Sequence, residues 1–418
     1  MTDTDPEVDV HVSPLGPSFD LLGAIGADGF LMERSGLGVA AGGRGGVALA
    51  VENGGPAIRD AGRRALASLR SHRRDQSAAT PMAVGALPFH AGTGTLHIPR
   101  FAVHRMEPGR TWLVETSAPG AAALPPFSPR PVRPTALPHE AFTDLQLTPR
   151  PRPGIYASAV RDALGRIRAG ALRKVVLARR IEVGAGRRLD PVLLATRLRA
   201  VDPDAYTFVA PVTGGTLVGA SPELLLSRRG SRVRSNPLAG SAPRSGDPEQ
   251  DRHNAGELAA SSKNREEHAI VVEAVAETLG SFCEDLAWDP EPVLLPTANV
   301  WHLSTRFAGT LRDPAPDALE LVAALHPTPA VCGAPRAAAL ETIGELEAFD
   351  RGSYSGPVGW LDAEGDGDWA IALRCAVIDG DRATLFAGAG IVAGSDPEAE
   401  VDETERKFRA FLDSLRWG

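Results

Sequence analysis

The chain has 418 residues, a hydrophobic fraction of 43% and a formal net charge of −8 at pH 7. This length suffices for one large domain or for two to three ordinary ones, and an acidic chain without a basic run argues against a nucleic-acid-binding protein. No apolar stretch is long enough to span a membrane, and the acidic N-terminus lacks the apolar segment of a signal peptide. We therefore expect a cytoplasmic protein that binds neither nucleic acids nor membranes.

Residues 1–116 alternate short apolar runs with glycine-rich turns, which predicts mostly strands and one helix around Ala57–Leu69. Gly36 and Gly38 resemble a dinucleotide-binding loop. However, no βαβ unit surrounds them, and the following apolar run is typical of a strand. A pair of strands joined by a glycine turn is the favoured interpretation.

Residues 117–153 are interpreted as a connector, because the stretch from 117 to 138 is rich in proline and alanine and cannot form a regular element. From residue 154 the patterns become regular. They predict helices at Ile155–Gly170 and Leu189–Val201, and strands at Lys174–Leu177, Tyr206–Pro211, Thr216–Ser221 and Leu224–Ser227. Short strands at short spacing favour antiparallel pairing.

Two residue types that bear on chemistry are rare in this chain. The three cysteines, Cys283, Cys332 and Cys375, have neither metal-ligand nor disulfide spacing, so we expect buried, reduced thiols. Only three of the 44 basic residues are lysines, and the other 41 are arginines. Arginine can replace lysine at most surface positions, but it cannot supply a compact ammonium group or a neutral amine. The three lysines, Lys174, Lys263 and Lys407, are therefore candidate functional residues.

The stretch Ser261–Gly280 has the apolar period of a helix that ends at its glycine. Glu267 lies on the apolar face of this helix, with Asn264 one turn earlier on the same face. A carboxylate on a face that packs inward is costly unless it is paired with a cation, hydrogen-bonded or bound to a metal. Glu267 is therefore a candidate ligand.

A C-terminal helix repeats this feature. Glu400, Glu403 and Lys407 form one stripe, and the apolar residues that follow show that this helix also packs against the protein. Two helices with inward carboxylates suggest a site with oxygen ligands only, most simply for Mg²⁺. Solvated charges paired along the helix are the alternative. The acidic run Asp362–Gly367 mimics a calcium loop, but its twelfth position is Leu373, so we expect a hairpin tip.

A series of motifs then resembles the chorismate-utilising enzymes, a family that includes isochorismate, salicylate, anthranilate and aminodeoxychorismate synthases. The resemblance covers residues 154–418, and its motifs are KVVLARR, GASPELLLSRRG, NPLAGSAPR, SSKNREEHAIVVEAV, WHLSTRFAG, LHPTPAVCGAPR, FDRGSYSGPVGW, ALRCAV, LFAGAGIVAGS and ETERKF. It implies an α/β fold of the α+β type, a single large domain with two packed antiparallel β-sheets and surrounding helices. The active site would lie in the cleft between helices and sheets, and residues 1–116 would add strands to the same domain.

The resemblance implies roles for two of these residues in moving a hydroxyl group of chorismate from C4 to C2. Lys174 matches the general base that activates water, and it must be a neutral amine to do so, a state that burial and nearby cations favour. Glu223 matches the general acid that protonates the leaving hydroxyl, which requires a raised pKa.

The resemblance also implies a Mg²⁺ site. Glu267 and Glu403 match its ligands, whereas Glu400 and Asn264 match positions that hold metal-bound waters. Position 264 is often acidic in the family, so asparagine here removes one charge. The metal would bridge to the ring carboxylate of chorismate.

The positions that match substrate contacts are Gly240 and Ser241 in a turn, His302 near the ring, and Arg374, Lys407 and the backbone N–H of Gly388 at the substrate carboxylates. Ala239 stands where aminodeoxychorismate synthases carry a nucleophilic lysine. Lys263 receives no role from the resemblance, and we expect it on the helix surface.

Within the family, four pocket positions bear on the product. Ala330, where salicylate synthases tend to have threonine, and Val331 favour release of isochorismate, whereas Tyr354 and Leu373 also occur in salicylate synthases. We expect an isochorismate synthase, with salicylate synthase as the alternative and an inactive binding protein as the alternative of another class. Amination would need a glutaminase subunit and a different base position, so we expect neither amination nor that partner. We expect a monomer, and the pathway, siderophore, salicylate or menaquinone, stays open.

Overall fold

The computed structural model describes residues 9–16, 19–25, 29–42, 47–51, 54–70, 79–90, 93–117, 141–142 and 144–417. Within these ranges the chain forms eight α-helices and 24 strands. The helices are α1 (Gly54–Arg70), α2 (Pro153–Arg168), α3 (Pro191–Val201), α4 (Pro248–Ala260), α5 (Ser262–Gly280), α6 (Ala318–Leu325), α7 (Arg336–Leu346) and α8 (Pro397–Leu415). None of the described helices has the length and apolar character needed to cross a bilayer.

The strands are short and follow one another closely along the chain. They are β1 (Asp9–Leu15), β2 (Phe30–Arg34), β3 (Leu37–Gly42), β4 (Val47–Val51), β5 (Met82–Ala86), β6 (Gly94–Ile98), β7 (Phe101–Glu107), β8 (Arg110–Ser117), β9 (Gln146–Arg150), β10 (Lys174–Gly184), β11 (Tyr206–Val212), β12 (Gly215–Ser221), β13 (Leu224–Arg229), β14 (Arg232–Asn236), β15 (Leu238–Pro243), β16 (Cys283–Trp288), β17 (Val293–Pro296), β18 (Val300–Ser304), β19 (Phe307–Leu311), β20 (Gly333–Ala334), β21 (Pro357–Asp362), β22 (Gly367–Ile371), β23 (Cys375–Asp379) and β24 (Arg382–Ile391).

Two large antiparallel sheets form the centre of the described structure. One has the order β1-β8-β7-β3-β2-β11-β12-β23-β24-β10-β20, with β9 added beside β10, and the other has the order β16-β19-β14-β13-β22-β21-β5-β6-β4. Side chains from both sheets share one core, in which Phe208 of the first sheet joins Trp360 of the second. The predicted α/β architecture with two packed antiparallel sheets is confirmed, and a three-stranded sheet, β15-β18-β17, adds to it.

The predicted division of the chain stays a prediction. Strands β1 to β8, between Asp9 and Ser117, pair within both large sheets. Most of the predicted connector, residues 118–140 and 143, lies outside the described residues. Its last part carries β9, which pairs with β10, and the beginning of α2.

Several local predictions are confirmed. The glycine turn at residues 35–36 joins β2 to β3, and the acidic run after Asp362 is the tip of the β21–β22 hairpin, where the Asp362 carboxylate accepts the backbone N–H groups of Glu364 and Asp366. Helix α5 ends at Gly280, and Ser261 caps its N-terminus by accepting the N–H of Asn264. All three cysteines are buried and free.

The longest ladder brings the candidate site together. Strand β10 pairs with β24 from Val175 opposite Ile391 to Gly184 opposite Arg382. Lys174 begins β10, α8 packs on β24, and α5 packs on β15. Two strands and two helices that are distant in the sequence thus converge on one end of this ladder.

Candidate active site

One pocket gathers most of the predicted site residues. Those that line it are Glu223, Gly240, Glu267, His302, Ala330, Tyr354, Leu373, Arg374, Gly388, Glu403 and Lys407. The remaining predicted residues, Lys174, Ser241, Asn264 and Glu400, lie behind this lining. The site is therefore built from helices α5 and α8, from strands of two sheets, and from the loops between them.

Lys174 is fully buried, and its ammonium group faces the one carboxylate predicted from the apolar stripe of α5. The distance from Lys174 Nζ to Glu267 Oε1 is 3.0 Å, but the two groups are not aligned as a hydrogen bond, so Nζ is a buried polar atom without a hydrogen-bond partner among the described residues. Glu267 is itself 6% exposed and faces the pocket. A buried amine with an unused hydrogen-bonding position suits a group that acts on a bound molecule.

Glu223 follows strand β12 and is 2% exposed. Burial raises the pKa of its carboxyl group to about 8, although Lys174 and a hydrogen bond from the Leu238 backbone N–H act in the opposite direction. No ion pair with Glu223 is found among the described residues. This carboxyl group is therefore protonated at neutral pH, which is the state that a proton donor needs.

Glu403 has the opposite protonation state. Burial would raise the pKa of its carboxyl group, but Lys407, Lys263 and a hydrogen bond from Ser241 together lower the pKa to about 2. Lys407 Nζ lies 2.5 Å from Glu403 Oε1 and donates to the carbonyl oxygen of Gly388 at 2.8 Å. Helix α8 thereby fixes an ionised carboxylate and an ammonium group at the pocket.

The expectation for Lys263 is wrong. Its side chain is only 26% exposed, and its Nζ donates to Glu400 Oε1 at 2.7 Å, which ties the first turn of α5 to α8. Glu400 is 1% exposed, and burial together with the neighbouring Glu403 charge raises its pKa to about 7. The rarity of lysine was the available signal, because all three lysines of the chain pair with a glutamate of this site.

Arg374 adopts a left-handed backbone conformation with φ of 50°, which is uncommon for a residue other than glycine. Its Nη2 donates to His302 Nε2 at 3.0 Å, while His302 Nδ1 donates to the carbonyl oxygen of Gly240 at 3.1 Å. Burial, followed by the charges of Arg374 and Lys407, lowers the pKa of His302 to about 3, so the ring is neutral. His302 therefore aims the guanidinium group at the pocket.

Comparison with known proteins identifies the family to which this chain belongs. The sequence profile described as "Chorismate binding enzyme" matches residues 131–416. The chain belongs to this chorismate-binding enzyme family. It is 46% identical over 276 residues to isochorismate synthase DhbC of Bacillus subtilis (strain 168), an alignment that covers 64% of this chain and 69% of the relative.

Two solved structures support the same assignment. The crystal structure of a putative 2,3-dihydroxybenzoate-specific isochorismate synthase, DhbC, from Bacillus anthracis is similar with a TM-score of 0.81 and 35% identity, over 95% of this chain and 99% of that one. The menaquinone-specific isochorismate synthase MenF from Escherichia coli is similar with a TM-score of 0.81 and 27% identity, over 98% of this chain and 95% of that one. Chorismate-binding enzymes of the same fold thus carry names from different pathways.

In this chorismate-binding enzyme, the Gly388 backbone is available to a ligand. The N–H of Ala178, which lies opposite Gly388 in the ladder, donates to Glu347 Oε1 at 2.7 Å rather than across the strands. In an antiparallel ladder the N–H of the opposite residue then also points away from the partner strand. The N–H of Gly388 therefore points to the edge of β24 that lines the pocket.

The pocket has a donor set that fits a hard cation. Glu267 and Glu403 both present carboxylate oxygens to it, and Glu267 has no aligned hydrogen bond recorded from the described residues. The described residues hold no group of three or more His, Cys, Asp or Glu that would form a full protein cage. Mg²⁺ commonly binds to one or two carboxylates and completes its shell with water and substrate oxygens.

The raised pKa of Glu223 predicts how the stability of the folded enzyme changes with pH. In the unfolded chain this carboxyl group ionises near its ordinary pKa of 4.5, whereas in the folded enzyme it keeps its proton up to about pH 8. Wild-type stability should therefore fall as the pH rises between these values, because the unfolded chain loses the proton first. Glu223→Gln cannot ionise, so its unfolding temperature relative to wild type should rise from pH 5 to pH 8. A constant difference across that range in thermal unfolding would contradict the buried, protonated carboxyl group.

Proposed function

We propose that this enzyme isomerises chorismate to isochorismate by adding water at C2 with loss of the C4 hydroxyl group. The observation that carries the proposal is a buried carboxyl group that keeps its proton in the pocket, together with a buried amine behind the lining that has no hydrogen-bond partner among the described residues. The family membership and the names of the relatives support the same reaction. The localisation is proposed to be cytoplasmic, and the enzyme is proposed to act as a monomer without a glutaminase subunit.

Lys174 and Glu223 divide the proton transfers between them. Lys174 takes a proton from the water that attacks C2, a step that requires its neutral amine, and Glu223 donates its proton to the departing C4 hydroxyl group. General bases and acids of this kind each contribute about 10²–10⁴-fold in rate. Both groups are buried, so bulk water has little access to either of them before the substrate binds.

Three groups are proposed to hold the carboxylates of the substrate. Arg374, aimed by His302, suits a bidentate grip on the enolpyruvyl carboxylate. The Lys407 ammonium group and the N–H of Gly388 lie beside one another at β24 and act on the same charges. Gly240 and Ser241 lie within β15, at its irregularity, rather than in the predicted turn; Gly240 has a φ of 75°, and a Cβ atom there would lie 3.1 Å from Asn264 Cβ.

Glu267 and Glu403 are proposed to bind Mg²⁺ directly, with Glu400 and Asn264 holding waters around it. The bound cation would supply electrostatic neutralisation of the ring carboxylate. Lys263 holds Glu400 in place through their 2.7 Å ion pair. Asn264 donates to Ser261 Oγ at 3.0 Å, which leaves its side-chain oxygen for a water.

The base assignment is tested at Lys174. Lys174→Arg keeps a positive charge but cannot accept a proton, so its turnover should fall about 10²–10⁴-fold, as in Lys174→Ala. Arg173→Ala, at the exposed neighbour that pairs with Glu273, serves as the control and should keep wild-type turnover. A Lys174→Arg variant with a large share of the activity would reduce the lysine to an electrostatic contact.

The metal assignment is tested by removing the metal ion and by replacing one of its proposed ligands. Chelation with EDTA should abolish isochorismate formation, added Mg²⁺ should restore it, and Glu403→Gln should lower it at least about 10²-fold because a ligand charge is lost. Glu398→Gln changes an exposed carboxylate of the same helix and should have no effect. Full turnover after chelation, or in Glu403→Gln, would be incompatible with this site.

The product is tested by a chromatographic time course with chorismate and Mg²⁺. Pyruvate elimination to salicylate needs the enolpyruvyl arm folded over C2 in a near-attack geometry. Small Ala330 beside Val331 leaves that arm room to stay extended, so isochorismate should accumulate to an equilibrium mixture with chorismate. Tyr354 and Leu373 also line the pocket and favour the second candidate, salicylate synthase. Early, stoichiometric salicylate and pyruvate would establish that alternative, and no loss of chorismate would point to a binding protein.

A further inference from the structure

Gly390 lies near the end of β24, where nothing in the backbone requires glycine. Its φ is outside the left-handed region that favours glycine. Glycine weakens a strand because it has no side chain to pack and gains flexibility when unfolded. A glycine at such a position indicates that something else needs the space beside its Cα atom.

The side chains of two residues of the proposed acid–base and metal site occupy this space. A Cβ atom at position 390 would lie 2.0 Å from Glu267 Oε1, 2.8 Å from Glu267 Cδ and 3.1 Å from Lys174 Cε. Some other strand glycines meet the backbone of a neighbouring strand instead, as Gly359 does at 2.1 Å from the carbonyl oxygen of Asp368. At Gly390 the nearest atoms are therefore the ends of flexible side chains.

From this contact we infer that Gly390 is a positioning residue for Glu267 and Lys174. Without a side chain at 390, the Glu267 carboxylate lies directly against β24, 3.0 Å from Lys174 Nζ and open to the pocket. A methyl group there needs van der Waals separation, so the carboxylate must move by at least about 1 Å, since contacting carbon atoms lie about 3.5–4.0 Å apart. The roles given to Glu267 and Lys174 rest on the proposed function. The contact of position 390 with their side chains does not depend on it.

The test compares Gly390→Ala with Gly184→Ala. Gly184 is a glycine of β10 whose Cβ would make only ordinary contacts, 3.7 Å from Gln146 Cβ, and its variant should match wild type. Gly390→Ala should lower isochorismate turnover about 10²-fold, the effect of a displacement near 1 Å. The displaced carboxylate is a proposed metal ligand. The affinity of the Gly390→Ala variant for Mn²⁺, titrated by electron paramagnetic resonance without chorismate, should therefore fall at least about tenfold. Its unfolding temperature should change little, because the side chains that it meets can move.

A double-mutant cycle separates the contact from a general disturbance of the strand. Glu267→Asp shortens the side chain by one methylene group and withdraws the carboxylate from position 390. In that background Gly390→Ala should cost much less Mn²⁺ affinity than it costs in wild type. Equal losses in both backgrounds, or unchanged turnover and Mn²⁺ affinity in Gly390→Ala, would refute the inference. If wild type binds Mn²⁺ but leaves chorismate unchanged, the proposed function fails, whereas the Mn²⁺ cycle still decides the role of Gly390.

Discussion

Charge removed from water is the constraint around which this site is built. Three glutamates and three lysines lie in or behind one pocket, and an unpaired charge in such surroundings would cost several kcal/mol. Lys174 pairs with Glu267 between β10 and α5, Lys263 pairs with Glu400 between α5 and α8, and Lys407 pairs with Glu403 within α8. These pairs join the two helices to each other and to the strand, so removing one group leaves its partner without an ion pair.

Another buried ion pair, formed by Arg351 and Glu347, holds strand β10 beneath these charges. On the side away from β24, residues 176 to 178 of β10 have no strand partner within the described part of the chain, and their backbone groups bond instead to the loop of Cys332 and to side chains. Glu347 accepts the N–H of Ala178, and Arg351 donates to the carbonyl oxygens of Val176 and Val331. Arg351 thereby joins the strand that carries Lys174 to Val331 in the pocket wall.

The sequence was most informative where the deciding interaction is local. The helical period alone placed Glu267 on a buried face, and the stripe of Glu400, Glu403 and Lys407 was correct for the same reason. Pairing between elements was harder: the contact of Lys263 with Glu400 depends on how the first turn of α5 meets α8, which no local pattern encodes. The third sheet and the backbone conformation of Arg374 likewise depend on distant parts of the chain. Residue roles came from the family resemblance rather than from spacing.

Two glutamates of this pocket show how one residue type serves two chemical purposes. Glu223 and Glu403 are both largely removed from water, so burial raises the pKa of each and cannot distinguish them. The distinction comes from their partners: Glu403 has the Lys407 ammonium group at 2.5 Å, whereas Glu223 has no ion pair among the described residues. One carboxyl group therefore keeps its proton to about pH 8 and the other is ionised above about pH 2. Lysines close to Glu403, above all Lys407 one helical turn away, thus separate an ionised carboxylate from one that keeps its proton.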